Sequence, residues 1–211
     1  MYHGKHSYLP FLLLLILGSC SSGKFVNLGL PSGTKWAKCN IGAHLVPHEG
    51  DAGDYFAWGE TEAKAVYEWY DYKFYTTSAD SLSKYNVDDH EVTLEPADDV
   101  ASMVLGRHCH IPTVAQWTEL MNECTWEYVE GLGCKATGPN KKSILLPISG
   151  LRNGKSVDDM GRYGNYWTQQ VDSTKTSCAC GFTLTSRGRQ ILYSSRCLGF
   201  TIRAVKNRKQ K

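Results

Sequence analysis

The C-terminal half of the chain consists of short apolar runs separated by glycine-containing turn signals, and this pattern constrains the fold more than any other feature. Runs of four to eight residues, rich in β-branched and aromatic side chains and bounded by turns, are typical of strands. The pattern therefore predicts a twisted antiparallel sheet over this half. The runs are residues 143–148, 161–168, 181–184, 190–193 and 198–205.

Two short helices are expected before these strands. In residues 113–124, Thr113 and Gln116 have the spacing of a capping box. The apolar side chains that follow at helical spacing are Trp117, Leu120, Met121 and Cys124. Residues 96–105 predict a second, shorter helix with acidic residues near its N-terminus. Helices followed by a series of strands indicate an α+β fold.

The first half of the chain is expected to hold less regular structure. Residues 25–40 predict a β-hairpin, and residues 53–60 predict a buried aromatic strand or turn. Residues 61–95 are polar and rich in tyrosine, with weak periodicity, so we expect a long irregular loop. The side chains expected to pack this loop are Tyr67, Trp69, Tyr70, Tyr72, Phe74 and Tyr75.

Composition restricts the class of protein. The chain has 211 residues, of which 42% are hydrophobic and 21% charged, enough to bury the core of one domain. Its net charge of +2 gives no electrostatic argument for nucleic-acid binding, so no nucleic-acid partner is expected.

The N-terminus has the features of an export signal. Lys5 precedes an unbroken apolar run at residues 11–17, which is too short to span a bilayer. The following Leu17-Gly18-Ser19-Cys20 resembles the bacterial lipobox, whose cysteine is acylated and becomes the first mature residue. We therefore expect residues 1–19 to be a signal peptide, Cys20 the lipidation site, and residues 20–24 a tether to the membrane. An ordinary secretory signal that happens to precede a cysteine is the alternative.

Seven of the eight cysteines remain for the mature domain once Cys20 is assigned to the lipid. An odd number allows at most three bridges and leaves at least one thiol. Because disulfides persist in oxidising compartments, we expect at least one structural disulfide, with its pairing left open. Metal binding is the competing use.

Several segments, in this order along the chain, resemble the Fibrobacter succinogenes major paralogous domain found in lipoproteins of Bacteroidota. The first reads VNLGLPSGTKWAKCNIGA at residues 26–43, and Ile111-Pro112-Thr113 precedes the predicted helix. The other matching segments are residues 53–61, 94–99, 119–120, 124–126, 146–150, 166–167 and 198–205. The segment before Ile111 and the residues after Trp167 depart from the family pattern.

The resemblance implies a C-type-lectin-like fold over residues 25–206, distantly similar to formylglycine-generating and sulfatase-modifying domains. It also implies a lipoprotein of the outer membrane in the cell envelope, with the periplasmic or surface side left open. Residues 207–211 are basic, and we expect them to form a disordered tail.

In relatives that display ligands, the face built by the last strands and their loops carries variable aromatic side chains. Tyrosine, tryptophan and arginine dominate binding surfaces because they combine large rigid area with a polar tip. The candidate ligand-binding residues are Arg152, Tyr163, Tyr166, Trp167, Arg187, Arg189 and Tyr193. The alternative for Tyr166 and Trp167 is a place in the core.

Two groups of residues have the types, but not the arrangement, of metal sites in enzymes on related folds. Cys178 and Cys180 are closer together than the copper-binding cysteines of formylglycine-generating oxidases. His44, His48 and Glu49 resemble the histidine pair and carboxylate of iron-dependent sulfoxide-forming relatives, but Pro47 opposes the helix that pair requires.

Two further clusters are weaker candidates. His108 and His110 share one face of an extended segment, so they suit either a metal site or a half-buried strand. The pairs Asp88-Asp89 and Asp98-Asp99 offer oxygen ligands for a hard cation, and helix capping also explains the second pair.

These observations predict a non-enzymatic, lipid-anchored protein whose domain binds a protein or glycan. No cofactor, metal or catalytic residue is assigned. A structural envelope module without a specific ligand is the second hypothesis, and a metal oxidase of the formylglycine-generating type is the third.

Overall fold

A computed structural model describes residues 23–43 and 51–207. The described part contains two α-helices, α1 (Val100–Leu105) and α2 (Val114–Glu123), and is otherwise mostly sheet. This confirms the α+β class and the two short helices. The strands are β1 (Phe25–Asn27), β2 (Lys35–Ala37), β3 (Tyr55–Phe56), β4 (Tyr75–Ser78), β5 (Ser81–Leu82), β6 (Cys109–His110), β7 (Thr125–Val129), β8 (Gly133–Thr137), β9 (Ser143–Pro147), β10 (Leu151–Asn153), β11 (Ser156–Asp158), β12 (Gly164–Val171), β13 (Cys178–Leu184), β14 (Arg189–Ser195), β15 (Phe200–Thr201) and β16 (Val205–Lys206).

A five-stranded sheet of order β14-β13-β12-β15-β3 forms the centre of the domain. Its pairs are antiparallel except for β12 with β15, which run parallel. The longest ladder joins β13 to β14 around the turn at Ser186-Arg187-Gly188, as predicted. Tyr166 pairs with Phe182, and Phe182 pairs with Ile191, so these three side chains share one face.

A four-stranded sheet of order β1-β2-β16-β6 joins the two ends of the described chain. The predicted hairpin at residues 25–40 is confirmed, with Val26 opposite Trp36. Val205 pairs with Trp36 on one side and His110 on the other. The last strand is therefore needed to complete the sheet that contains the first. The remaining strands form the three-stranded sheet β7-β8-β9 and the hairpins β4-β5 and β10-β11.

The central sheet separates two buried clusters because side chains alternate between its faces. Phe182 and Tyr166 lie on the face that packs against α2, where Trp117 stacks on Phe182 with ring centroids 4.1 Å apart. On the opposite face, Trp167 stacks on Phe200 at 4.0 Å. The cluster that contains Phe182 is called the helix-side core below, and the cluster that contains Phe200 is called the aromatic core.

Both helices begin at side-chain caps. The Thr113 Oγ1 accepts from the backbone N–H of Gln116, and the Gln116 side chain accepts from the backbone N–H of Thr113. The capping box predicted for α2 is therefore confirmed. The first helix starts later than expected, at Val100, because Asp99 has an extended backbone and uses its carboxylate to accept from the N–H groups of Ala101 and Ser102.

The tyrosine-rich segment at residues 61–95 contains the β4-β5 hairpin and otherwise consists of turns packed on the aromatic core. Tyr67, Tyr72 and Phe74 are buried, as predicted. The prediction was wrong for Tyr70, which is 66% exposed because it lies on the outer side of a 3-10 turn at Trp69–Asp71.

Candidate recognition surface

β14 forms one edge of the central sheet, and its outer side pairs with no strand among the described residues. Seven successive residues pair with β13 without a bulge, so the strand is regular over its whole length. Edge strands of soluble proteins are usually protected by charges, prolines, bulges or a covering element. Within the described part of the chain, β14 contains no proline and no bulge, and Arg189 at its start is its one charged residue. All seven residues of the strand are exposed or half-buried, and no described strand pairs with its outer backbone groups.

Exposed side chains with polar tips accompany this edge. Tyr193 is 61% exposed and lies opposite Cys180 in the ladder. The Arg189 guanidinium lies 4.7 Å from the ring centroid of Trp126 on β7, close enough for a cation–π contact. Tyr128 lies on the same face of β7 as Trp126 and is also exposed. The outer strand and the β7-β8 hairpin thus contribute to one surface.

The turn that connects β13 to β14 presents Arg187 to solvent. The Thr185 Oγ1 accepts from the backbone N–H groups of Arg187 and Gly188 at 3.1 and 3.0 Å. The Thr185 N–H donates to the Gly188 carbonyl at 2.8 Å, which closes the turn. Among the described residues, Arg187 and Arg189 form no salt bridge. Their charges are available to an acidic group of a ligand. We name Arg187, Arg189, Tyr193, Trp126 and Tyr128 the β14 surface.

Arg152 lies apart from this surface. Arg152 packs on the Tyr67 ring in the aromatic core, and its guanidinium donates to the Lys155 carbonyl. Arg189 contacts the helix-side core, so the central sheet separates the two arginines. Tyr163 precedes β12 at the end of the sheet nearest the β13-β14 turn, and it is only partly exposed. The structure does not bring all seven predicted residues into one site.

Tyr166 and Trp167 were wrongly placed among the ligand-binding candidates. Both are buried in β12, one in each core. The Tyr166 hydroxyl donates to the Pro147 carbonyl at 2.7 Å, and the Trp167 indole N–H donates to the Phe56 carbonyl at 2.8 Å. Their polar atoms therefore form hydrogen bonds inside the protein. This agrees with the alternative stated above, in which both side chains belong to the core.

Two buried arginines were missed by sequence reasoning. Arg196 is fully buried, and its guanidinium lies among the aromatic rings of the core. Arg203 is also buried and donates to the Asn40 side chain and to backbone carbonyls of residues 37, 38 and 145. Both interact with residues more than 50 positions away in the chain. Partners so distant in sequence cannot be predicted from the residues next to Arg196 and Arg203.

The acidic pairs have structural partners. Asp99 accepts four hydrogen bonds, from Ala101, Ser102, Ile111 and the Gln169 side chain. Asp98 lies within 2.6 Å of the ammonium groups of Lys73 and Lys84 and accepts from the Tyr85 hydroxyl.

The other acidic pair lies in a turn. Asp89 accepts from backbone N–H groups of residues 85, 86 and 91, and Asp88 is exposed. These bonds account for three of the four carboxylates, so the hard-cation interpretation loses its basis.

The histidine candidates do not converge on a metal site. Among the described residues, no group of three or more His, Cys, Asp or Glu side chains has the arrangement of a metal site. His110 lies on β6, where its Nδ1 is 2.9 Å from the Ile111 carbonyl and its Nε2 is buried without a partner. His108 is exposed. His44, His48 and Glu49 lie outside the described residues.

The expected disulfide is absent from the part of the chain that the structure describes. The cysteines there are distributed over separate elements: Cys124 ends α2, Cys134 is on β8, and Cys197 follows β14. Burial raises the pKa of Cys124, Cys180 and Cys197 to about 11 in each case. Thiols with such pKa values are poor nucleophiles and poor metal ligands at neutral pH, because the thiolate is the reactive form.

Comparisons with known proteins add no assignment: no family model, no curated protein and no solved structure matches this chain. Within residues 23–43 and 51–207, no helix has the length and apolar character needed to cross a membrane.

Proposed function

We propose that this protein is an exported, lipid-anchored recognition module without enzymatic activity, and that its β14 surface binds a protein ligand. The single observation that carries the proposal is the seven-residue edge of β14, which is regular, pairs with no described strand on its outer side and includes exposed Tyr193. An extended segment of another protein pairs with such an edge through its backbone, while side-chain neighbours provide specificity.

The charge of the β14 surface supports an acidic segment as the ligand. Arg187 and Arg189 are exposed and lack acidic partners among the described residues. Arg189 is held in position by the Trp126 ring, so little conformational freedom is lost when it binds a carboxylate. A glycan is the second ligand class, because exposed tyrosines also pack on sugar rings.

We further propose that the domain has a C-type-lectin-like architecture. Two features support this proposal: the first and last described strands belong to one sheet, and long irregular segments are packed on the central sheet. The exported, envelope-located character rests on the resemblance of residues 17–20 to a lipobox.

The distribution of thiols supports a recognition role over an oxidase role. Cys178 and Cys180 lie on one strand, and burial raises the pKa of Cys180 to about 11. Cys180 is also 3.7 Å from the Val171 carbonyl, to which its thiol donates. A protonated, hydrogen-bonded thiol is a poor ligand for copper(I).

The test is a binding measurement with matched variants of the full chain. Purified protein is applied to an array of envelope proteins, acidic peptides and envelope glycans, and each ligand bound by the wild type is titrated. The double variant R189A/Y193A removes the centre of the β14 surface. The control R162A/Y70A removes an exposed arginine and a 66% exposed tyrosine from elsewhere.

We expect an acidic protein segment to bind, with an affinity reduced about tenfold or more in R189A/Y193A and unchanged in R162A/Y70A. If only glycans bind, the ligand is a glycan and the proposal of a protein ligand is wrong. Equal loss in both variants, or no binding to any member of the array, would reject the β14 surface and favour a structural envelope module.

A further inference from the structure

Exposed apolar side chains lie at the end of α1, beside the point where the described chain begins. Met103 is 61% exposed and Val104 is 60% exposed, on a helix of only six residues. Val104 and Leu105 line a cavity of about 350 Å³ together with residues 23–25 and 37–43. Most of the other atoms that line this cavity are also apolar. A contiguous apolar surface of this kind marks an interaction site.

Two basic side chains lie beside these apolar ones. Lys24 and Lys38 both line the cavity, and they are adjacent because the Lys38 N–H donates to the Lys24 carbonyl at 2.9 Å. Within residues 23–43 and 51–207, neither lysine forms a salt bridge. Asp54 lies against Gly42 at the rim of the cavity, and Glu127 lines a neighbouring cavity together with Lys38.

The length of the chain between the lipidation site and this cavity fixes how far apart they can be. Gly23, which lines the cavity, is three residues after Cys20. Three residues span at most about 11 Å even when fully extended. If Cys20 is acylated, its backbone lies at the membrane surface, so the cavity rim lies within about that distance of the lipid headgroups.

From this geometry we propose that the face formed by Lys24, Lys38, Met103 and Val104 is a membrane-contact face that rests on anionic lipid headgroups. Met103 and Val104 enter the interfacial region of the bilayer, and the two lysines lie at the level of the lipid phosphates. This inference rests on the lipid anchor of the proposed function, and it goes beyond that function by fixing the orientation of the domain on the membrane.

In this orientation both the lipid anchor and the folded domain contact the membrane. Multiple acyl chains on Cys20 would already give stable attachment, so the basic, partly apolar face contributes mainly by orienting the domain. The tether is then too short for the domain to turn freely, and its orientation is set by the contact face.

The test compares two equally exposed methionines. Met103 and Met160 are both 61% exposed, and Met160 belongs to the loop after β11, which does not line the cavity. Full-length protein with M103W or M160W is reconstituted in vesicles of phosphatidylethanolamine and phosphatidylglycerol, with and without bromine on the acyl chains. Bromine quenches only those tryptophans that reach the bilayer. The fluorescence of the native tryptophans, measured on the wild-type protein, is subtracted.

We expect brominated lipid to quench the fluorescence added by M103W at least twofold more than that added by M160W. Adding K24E and K38E to M103W should weaken the quenching, because each lysine near an anionic surface contributes about fivefold to binding. Equal quenching of M103W and M160W on vesicles that carry the protein would overturn the contact face.

Flotation of the vesicles shows whether the protein is membrane-anchored, so it tests the lipid anchor separately from the contact face. Protein that fails to float in its natural form shows that the proposed lipid anchor is wrong. The contact face is then judged by adding the same vesicles to the unanchored protein: preferential quenching of M103W supports it, and equal quenching rejects it.

Discussion

The guanidinium carbon of Arg196 lies 4.7 Å from the ring centroid of Trp58, inside the core, and among the described residues Arg196 forms no salt bridge. The charge is stabilised by four acceptors and by the faces of the surrounding rings. The acceptors are the Tyr72 hydroxyl and the carbonyls of Lys84, Tyr85 and Thr176. Arg196 therefore links the tyrosine-rich segment to the last third of the chain, in addition to backbone hydrogen bonds such as Leu94 N–H to the Gln169 carbonyl.

Replacing Arg196 by lysine should destabilise the domain strongly. Lysine keeps the charge but lacks the planar fork, so at least two of the four bonds are lost. Since hydrogen bonds to charged groups contribute about 1.5–3 kcal/mol each, we expect the free energy of unfolding to fall by about 3 kcal/mol or more. Urea denaturation measures this change in the free energy of unfolding. R162K, on an exposed side chain, should change stability by less than about 0.5 kcal/mol. A loss in R196K no larger than in R162K would contradict the structure.

The buried Tyr166 of β12 should respond to loss of its hydroxyl group. The variant Y166F leaves the Pro147 carbonyl buried without its donor, at a cost of about 1–3 kcal/mol. Exposed Tyr193 is the matched position, and Y193F should have almost no effect on stability. Thermal and urea unfolding of both variants provide the comparison. Unchanged stability of Y166F would mean that its hydroxyl reaches solvent.

Asp98 should make stability sensitive to acid. Burial raises the pKa of its carboxyl, but hydrogen bonds from Lys73, Lys84 and Tyr85 outweigh burial and hold the pKa below its ordinary value. A carboxyl with a lowered folded-state pKa contributes stability above its unfolded pKa, about 3.9, and this contribution is lost as pH falls through the folded value. D98N should therefore be less stable than wild type at pH 7, with the difference shrinking below about pH 4.

The check on Asp98 is urea denaturation at pH 7, 5 and 3. D88N is the control, because Asp88 is exposed and carries no salt bridge among the described residues. A difference between wild type and D98N that stays constant from pH 7 to pH 3 would show that charge is not the cause.

The buried thiols should be unreactive in the folded protein. Cys124, Cys180 and Cys197 are buried and have pKa values of about 11, so very little thiolate is present at pH 8. Iodoacetamide should modify them only after unfolding, which peptide mass spectrometry detects at each site. Peptides that remain joined after unfolding without reductant would instead reveal the disulfide predicted from the sequence.

Lipidation should depend on one residue. C20A is expected to abolish incorporation of labelled palmitate and to move the protein from the detergent phase to the aqueous phase in Triton X-114 partition. C178A keeps the lipobox and should behave as wild type. Palmitate incorporation that persists in C20A would place the acyl group elsewhere or reject the anchor.

The elements that sequence reasoning located correctly are those with local causes. The capping box between Thr113 and Gln116 lies within one turn of α2, and the turn at residues 186–188 defines the β13-β14 hairpin. The errors have non-local causes. Tyr166 and Trp167 were interpreted as ligand contacts because ligand-displaying relatives carry variable aromatic residues on the last strands, but β12 is covered on both faces.

The candidate site was predicted only in part for the same reason. Arg187, Arg189 and Tyr193 lie on or beside one hairpin, so their proximity follows from local pairing. The contributions of Trp126 and Tyr128 depend on how the β7-β8 hairpin packs against that strand, which no sequence spacing records. Burial of Arg203 depends likewise on acceptors from β2 and β9.

The pairing of Val205 with Trp36 has a consequence for when the fold can be completed. The sheet that holds the first strand stays incomplete until almost the whole chain is present, and pairings so distant in sequence form slowly. Under the export proposed above, the chain would cross the membrane before this sheet closes. Its aromatic segments would stay exposed until closure, and chaperones of the receiving compartment would act in that interval.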